Sequence, residues 1–417
     1  MRPEAAIQQS GQLLQDIFTA QHGADQLIDS RFRQQRMGGR ERKLVSELIY
    51  SVLRHRRRLQ VCFQSVQPDY SPTPTELAGL AWAEGLGWTP LQTAQFLGLD
   101  QTKAEARFAD IGHFTFAERL SLPDWMWVCF VRQWGEEGAE RLALALNEKP
   151  SVDLRVNRRL LSRDQAQKQL LAAGIPSAPT PYSPDGLRLN RRYLLKELAC
   201  FKSGALEIQD EGSQLISQLL KPQPGNLVID LCAGAGGKSL HLADLMNDAG
   251  QVIATDNDSR RLGRLKARQQ RARVRSIQSL PIRHEGDPRL KRWSGSADGV
   301  LVDAPCSGSG TLRRNPEIKW RLTPDQVTVY QQRQGALLSA GARLVKKGGR
   351  LVYATCSLLN EENQDIVADF QKENGGFKLL HIGYELEGLP HDGPFLTLRP
   401  DVTETDGFFA AVFQKKS

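Results

Sequence analysis

The sequence predicts a multidomain chain that ends in an open, doubly wound α/β domain, and three observations predict it. From about Gly204 to Ser417 the apolar runs LVID (227–230), QVIAT (251–255), GVLVD (299–303) and RLVYAT (350–355) are short and nearly continuous. Strands buried on both faces of a parallel sheet read that way. A glycine-rich turn follows the first run and opens a helix, and the later intervals are long enough to hold a helix each. Upstream, apolar residues recur at helical spacing over the first third of the chain.

Residues 1–147 are expected to form an all-helical domain. Ala24, Leu27, Ile28 and Phe32, then Leu44, Val45, Leu48, Ile49, Val52 and Leu53, follow helical periodicity, with Gly38-Gly39 as the break between the two helices. A loop, PDYSPTPTE, precedes further helix from about Glu76 to Leu146. Trp125, Trp127 and Trp134 in that stretch are read as packing residues. Residues 148–203 are expected to form a small α+β unit, because VDLRVN (152–157) reads as a strand and Ser162 caps a helical pattern ended by Gly174. Residues 204–417 form the α/β domain, in which LTLRPDVTETDGFFAAVFQKK supplies two further strands pairing antiparallel at the edge of the sheet.

The 417 residues, 40% apolar and 24% charged, suit folded domains rather than disorder. A net charge of +8 favours a polyanionic partner. Eight basic residues and no acidic one lie between Arg260 and Arg275, and a second basic cluster runs from Arg31 to Arg58. For either cluster alone the alternative is a solvated, positively charged helix face, and two clusters in a chain with a nucleic-acid chemistry site weigh against it. No apolar stretch reaches membrane-span length and the N-terminus has no signal pattern, so no membrane is expected. Six scattered cysteines without a CxxC pair, and seven histidines without a constellation, give no metal site and fit a reducing, cytoplasmic setting.

Chemistry concentrates where ligands sit in such sheets, beyond the carboxyl ends of the strands. Asp230-Leu-Cys-Ala-Gly234-Ala-Gly-Gly-Lys238 allows a tight turn and an anion at a helix N-terminus, yet it matches neither the phosphate-binding nor the full dinucleotide spacing. Asp256, ending the second strand, suits ribose hydroxyls or, alternatively, caps the helix that begins near Ser259. Asp287 is a weaker candidate for the adenine side, since its strand is hard to find in VRSIQSLPIRHEG. Asp303-Ala-Pro-Cys306-Ser directly follows one strand, and Thr355-Cys356-Ser directly follows another. Thiols at adjacent strand ends suit one reaction. Carbon 5 of cytosine is a poor nucleophile until a thiolate adds to carbon 6, and an acid such as Asp303 at ring N3 stabilises the developing charge. Cys62, Cys129 and Cys200 read as small buried hydrophobes, and Cys232 as packing beside the cofactor.

The stretches DLCAGAGGKS, ATDND, GDPR, VDAPCSGSGTLRRNPEIKW, LVYATCSLLNEEN and ETDGFF resemble the Sun/Nop family of RNA (cytosine-5)-methyltransferases. So do IQDEGSQL, LSLPDWM, ALNEKP, LRVN and RERKLVSELIYSVLR, which extends the resemblance over nearly the whole chain. It implies a Rossmann-like class I S-adenosylmethionine-dependent methyltransferase domain and an RNA-binding, NusB-like helical domain, closest to bacterial enzymes acting on 16S ribosomal RNA. It implies that Cys356 is the nucleophile and that Cys306 assists product release. S-adenosylmethionine contacts fall on Cys232, Ala233, Gly234, Ala235, Gly236, Gly237, Lys238, Asp256, Asp287 and Asp303, and RRNPEIKW (313–320) lies near the RNA backbone. The family commonly has proline where this chain has Ala235, a change that loses rigidity without adding bulk. Small-subunit ribosomal RNA is the expected partner, transfer RNA the alternative, and a monomer suffices. A DNA cytosine-5-methyltransferase leaves the second thiol unexplained and needs a large late insertion, for which the 61 residues after Cys356 leave little room. An amino-methyltransferase needs a different clamp from Asp303-Ala-Pro-Cys306. A non-catalytic RNA-binding or assembly factor has no need of both thiols and Asp303.

Overall fold

The computed structural model describes residues 1–417 except 21–22, 66–68, 87–88, 99–113, 385, 387 and 391–392. The chain divides into two compact units, Met1–Lys149 with Thr311–Leu322, and Pro150–Gly310 with Thr323–Ser417.

The first unit is helical, with its longer helices at Pro3–Thr19, Ala24–Gln35, Gly39–Gln64, Pro74–Leu86 and Asp124–Asn147. The expectation of helix through 99–113, and part of the loop before Pro74, lie outside the described residues. The break at Gly38-Gly39 falls as expected, and Val45, Leu48, Ile49, Val52 and Leu53 line the buried stripe against Ile7, Leu14 and Ile17. Each such side chain contributes about 2 kcal/mol by leaving water. Trp127 stacks on Phe116 and Trp134 packs against Phe130, as packing residues do.

The segment Thr311–Leu322 corrects one expectation. Lys319 does not face an RNA backbone: it is 1% exposed, and its ammonium donates to Arg54 O (2.7 Å), Ser121 O (3.0 Å) and Asn147 Oδ1 (2.7 Å). Burial, and then the Arg54 charge, push its pKa well down. Arg313 is buried too, and its carbonyl accepts from Arg54. These acceptors lie far away in sequence, so a count of basic residues in RRNPEIKW could not show that two of them are used inside the fold.

The second unit holds two sheets. Strands β1 (Val152–Val156), β2 (Ser177–Pro179), β3 (Gly186–Leu189) and β4 (Leu206–Ile208) form an antiparallel sheet in the order β2-β3-β1-β4, with the Ser162-capped helix Arg163–Ala172 beside it. This sheet takes in β4, beyond residue 203. The large sheet contains β5 (Leu227–Asp230), β6 (Gln251–Asp256), β7 (Ile277–Pro281), β8 (Ala297–Asp303), β9 (Val345–Thr355), β10 (Phe377–Leu380), β11 (Leu396–Leu398) and β12 (Phe408–Lys415). Its order is β10-β12-β9-β8-β5-β6-β7, with β11 also on β12. From β7 to β9 all pairs are parallel.

Alternate residues feed two cores. Val228, Val252, Leu301 and Val352 face one, and Ile229, Ile253, Val300 and Tyr353 the other. Two strands differ from the sequence reading. β7 is the strand hidden in VRSIQSLPIRHEG, an edge strand whose middle residues are solvated and carry no apolar run. β12 lies inside the sheet, between β9 and β10, because the short FKLL strand adds itself outside.

Candidate active site

Strand order reverses between β5 and β8, which opens a crevice at their carboxyl ends. The parallel register puts Asp230 level with Ala254 and Leu301, and Asp303 level with Ala354. The glycine turn and both cysteine loops therefore leave the sheet at one edge.

The first loop turns at Ala233, whose carbonyl accepts from Gly236 N at 2.8 Å. Gly234 and Gly236 have φ of +55° and +79°, and a Cβ on Gly236 would lie 2.2 Å from Leu265 Cδ1. No side chain with a β-carbon fits there. Gly236 opens the helix Gly237–Leu245 without a side-chain cap. Arg268 Nη1 holds the Ala235 carbonyl (2.8 Å), and Arg155, itself 2% exposed, holds that of Gly237 (2.8 Å). Asp256 Oδ2 accepts from Gly234 N at 2.7 Å and Oδ1 from Asp258 N at 2.8 Å. The cap of the following helix is Asp258, not Asp256: its Oδ1 accepts from Arg260 N and Arg261 N.

The set fits S-adenosylmethionine, whose amino-acid end carries an ammonium and a carboxylate and whose ribose carries two hydroxyls. Asp230 Oδ1 is buried with no hydrogen-bond partner among the described residues, while Oδ2 accepts from Ser239 Oγ at 2.6 Å. Burial pushes the Asp230 carboxyl up to about 7. Asp256 is the last residue of β6, at the carboxyl end where ligands of such sheets sit. Asp287 is differently placed. It caps the turn Pro288–Trp293, and Arg289 side-chain bonds, with the Arg289 and Arg283 amides, engage both oxygens and hold it well below the usual carboxylate range. Those bonds commit its carboxylate to its own loop.

In the second half of the site, Cys306 Sγ and Cys356 Sγ are 3.3 Å apart. The contact with Cys356, then burial, then the charges of Cys356 and Glu362 raise the Cys306 pKa well above its ordinary value. Asp303 Oδ2 accepts from the Lys238 ammonium at 2.6 Å. Burial opposes the Lys238 charge, but Asp303 outweighs it and the pKa rises. Cys232, by contrast, is kept a thiol by burial and by the charges of Asp230, Asp303 and Asp256, in keeping with a packing role. The loops are seamed glycine to glycine: Gly407 N donates to Gly310 O at 2.8 Å, and a Cβ on Gly310 would lie 2.1 Å from Gly407 O. That close approach explains the ETDGFF stretch. The sequence reading missed Glu362, Ser307 and Ser357, which form a buried polar cluster beneath the thiols. A polar Ser after each cysteine and acids shortly after the second were the available signal.

Comparison with known proteins agrees with this geometry. Residues 217–414 match the family described as 16S rRNA methyltransferase RsmB/F, and residues 122–195 match the ferredoxin-like domain of RsmF/B-like methyltransferases. The probable ribosomal RNA small subunit methyltransferase B of Synechocystis is 31% identical over 97% of this chain and 98% of its own. Ribosomal RNA small subunit methyltransferase B of Klebsiella pneumoniae is 35% identical over 76% of this chain and 70% of its own. Among solved structures, PH0851 superposes with a TM-score of 0.80 at 25% identity over 100% of this chain and 99% of that one. A methyltransferase homologue from Pyrococcus horikoshii gives 0.62 at 30% identity over 72% of this chain and 97% of that one. With the glycine turn, the strand-end carboxylates and the paired strand-end thiols, these matches identify the chain as a member of the RsmB/F (Sun/Nop) family of S-adenosylmethionine-dependent ribosomal RNA methyltransferases.

Proposed function

We propose that this protein methylates carbon 5 of a cytosine in small-subunit ribosomal RNA through a covalent adduct between Cys356 and carbon 6. The observation that carries the reading is the thiol pair, 3.3 Å apart at the ends of adjacent strands beside the Asp303–Lys238 ion pair. S-adenosylmethionine supplies an electrophilic methyl group on a sulfonium. Gly234 to Lys238, Asp230 and Asp256 are the residues proposed to hold it, with Ala235 and Gly237 fixed from behind by Arg268 and Arg155.

The resemblance of the Thr355-Cys356-Ser357 stretch to the family's motif gives the nucleophile's role to Cys356, and that of Pro305-Cys306-Ser307 gives the release role to Cys306. The thiolate of Cys356 bonds carbon 6 as N3 takes a proton from the Asp303 carboxyl, and the Lys238 ammonium stabilises the carboxylate so formed. Carbon 5 then has the electron density to take the methyl group. A base then takes the carbon 5 proton and N3 gives its proton back to Asp303, which re-forms the ring double bond and returns the carbon–sulfur pair to Cys356. The Cys306 thiol is close enough to donate to that departing sulfur. The target base must be unstacked to reach the pair. The helical domain, NusB-like in its resemblance, is proposed to hold the RNA.

Bisulfite sequencing of total RNA tests this, using cells with the gene intact, deleted, or carrying Cys356→Ala. One ribosomal cytosine losing its mark in both altered strains is the expected result. A lost mark in transfer RNA instead would reassign the substrate, and no changed position would favour a binding factor.

A further inference from the structure

Beneath the thiols lies a carboxylate that the reaction scheme does not use. Glu362 is 0% exposed, in the turn Asn360–Glu362 that follows the Cys356 loop. Its Oε1 accepts from Ser307 N at 2.8 Å and from Gln334 Nε2 at 2.9 Å. Its Oε2 accepts short bonds from the hydroxyls of both Ser307 and Ser357. Each of those serines directly follows one of the two cysteines.

The surroundings close the cluster. Ser309 Oγ lies 3.2 Å from Ser307 Oγ and 3.1 Å from Ser357 Oγ, and accepts from Leu358 N at 2.8 Å. Gln334 also donates to Pro305 O at 3.0 Å, on the other side of Cys306. Tyr353 donates to the Glu362 carbonyl at 2.6 Å, and Asn363 donates to Ser357 O at 2.9 Å. A buried carboxylate costs free energy unless it is bonded in this way. Here both ends of the arrangement are loops that carry reactive sulfur.

We infer that Glu362 is a positioning residue that holds the Cys306 and Cys356 loops in register, so that the two thiols meet. The inference rests on the two-thiol reading above. Without that carboxylate the loops keep the Gly310 N to Cys356 O bond and the Ser309 contacts, but lose the charged acceptor that both serines share, so the segments carrying Cys306 and Cys356 can shift relative to each other. A displacement of about 1 Å between reacting groups can cost about 10²-fold in rate. Glu362 hydrogen-bonds neither thiol, so its hold on their positions runs through the serines, while its charge also raises the Cys306 pKa.

The full-length protein carrying Glu362→Gln, Glu362→Asp or Glu362→Ala tests this on small-subunit RNA from a deletion strain. Four quantities are followed: kcat, the S-adenosylmethionine KM, its Kd by calorimetry, and bridging of Cys306 to Cys356 by a bifunctional thiol reagent, mapped on peptides. Glu362→Gln keeps an acceptor at Oε1, and the serine hydroxyls can turn to accept from its amide, so kcat falls by no more than about tenfold. Glu362→Asp is one methylene short of both loops, so kcat falls by about 10²-fold while cofactor Kd holds and bridging is lost. Glu362→Ala behaves as the aspartate variant does, and where it fails to fold the Gln and Asp pair decides. Wild-type kcat in Glu362→Asp, or an equal loss in Glu362→Gln with bridging intact, overturns the positioning role. Methylation surviving in Cys356→Ala would instead sink the two-thiol reading, whatever the Glu362 variants do.

Discussion

Around the ends of β8 and β9 Glu362 and three serines bond one another, with Gln334 Oε1 beside them left without a partner among the described residues, whereas around the ends of β5 and β6 it is a carboxylate oxygen that finds no such partner. Glu362, Ser307, Ser309 and Ser357 close on themselves beneath the thiols. Across the crevice, Asp230 Oδ1 is buried without a hydrogen-bond partner among the described residues, and the helix after Gly236 begins without a side-chain cap. The first arrangement fixes geometry before any ligand arrives, as preorganised chemistry requires. The second keeps donors and acceptors for a ligand that brings the complementary groups. On this view the reactive half and the cofactor half are separable: damage to one should leave the other's binding intact.

The largest effect should come from Cys356→Ala. Loss of the nucleophile is expected to lower the methylation rate on the order of 10⁴-fold or more. Calorimetry should show the S-adenosylmethionine Kd unchanged, and a large shift in that Kd would break the separation between the halves. Cys306→Ala should cost about 10²- to 10³-fold in turnover. It should also leave a protein–RNA species that survives denaturing electrophoresis, because the adduct forms but is slow to release. A variant that slows without accumulating adduct would remove Cys306 from the release step.

Much of this site was legible in the sequence because strand ends are. An apolar run followed at once by Asp, or by Thr-Cys, states both the element and the end of the sheet, and it placed Asp256, Asp303, Cys306 and Cys356 at or just beyond the strand ends where the structure has them. The glycine turn was legible for the same reason. What escaped depends on distant partners. Lys319 reads as a surface cation until carbonyls from Arg54 and Ser121 close round it. Asp287 is a different case, since the partner that engages both its oxygens, Arg289, stands only two residues on. Glu362 reads as one acid among several, and only the packing of two loops gives it work. Strand β10 is too short and too half-buried to announce itself.

A smaller effect is expected from pH, and it probes the cofactor half. Burial raises the Asp230 carboxyl from 3.8 to about 7 in the folded protein. The folded state then holds a proton that the unfolded chain has released. Its contribution to stability is complete below the unfolded value and is lost as pH rises through about 7. Thermal unfolding without ligand should therefore show a midpoint that declines from about pH 5 to about pH 8, with the slope reduced in Asp230→Asn. If Asp230 meets the cofactor's ammonium as a carboxylate, added S-adenosylmethionine should raise that midpoint more at about pH 8 than at about pH 6. An equal rise at both pH values, in wild type and Asp230→Asn alike, would separate Asp230 from the cofactor.

The smallest effect should come from Ala235→Pro, which restores the residue common in related chains. Ala235 sits between two glycines at positive φ, in a turn closed by Gly236 N to Ala233 O. Its carbonyl, which proline keeps, is held by Arg268 at 2.8 Å. Proline would restrict the unfolded chain and stiffen the turn, worth about 0.4–1 kcal/mol where the local backbone suits it. Arg268 and Arg155 already pin this loop from behind, so little freedom remains for proline to remove in the folded state. Calorimetry should therefore show S-adenosylmethionine binding within about threefold of the original, with a slightly higher unfolding midpoint. Tightening well beyond that would mean the turn is still mobile before the cofactor binds. In that case the cofactor half owes its openness to backbone motion as well as to unmet hydrogen bonds.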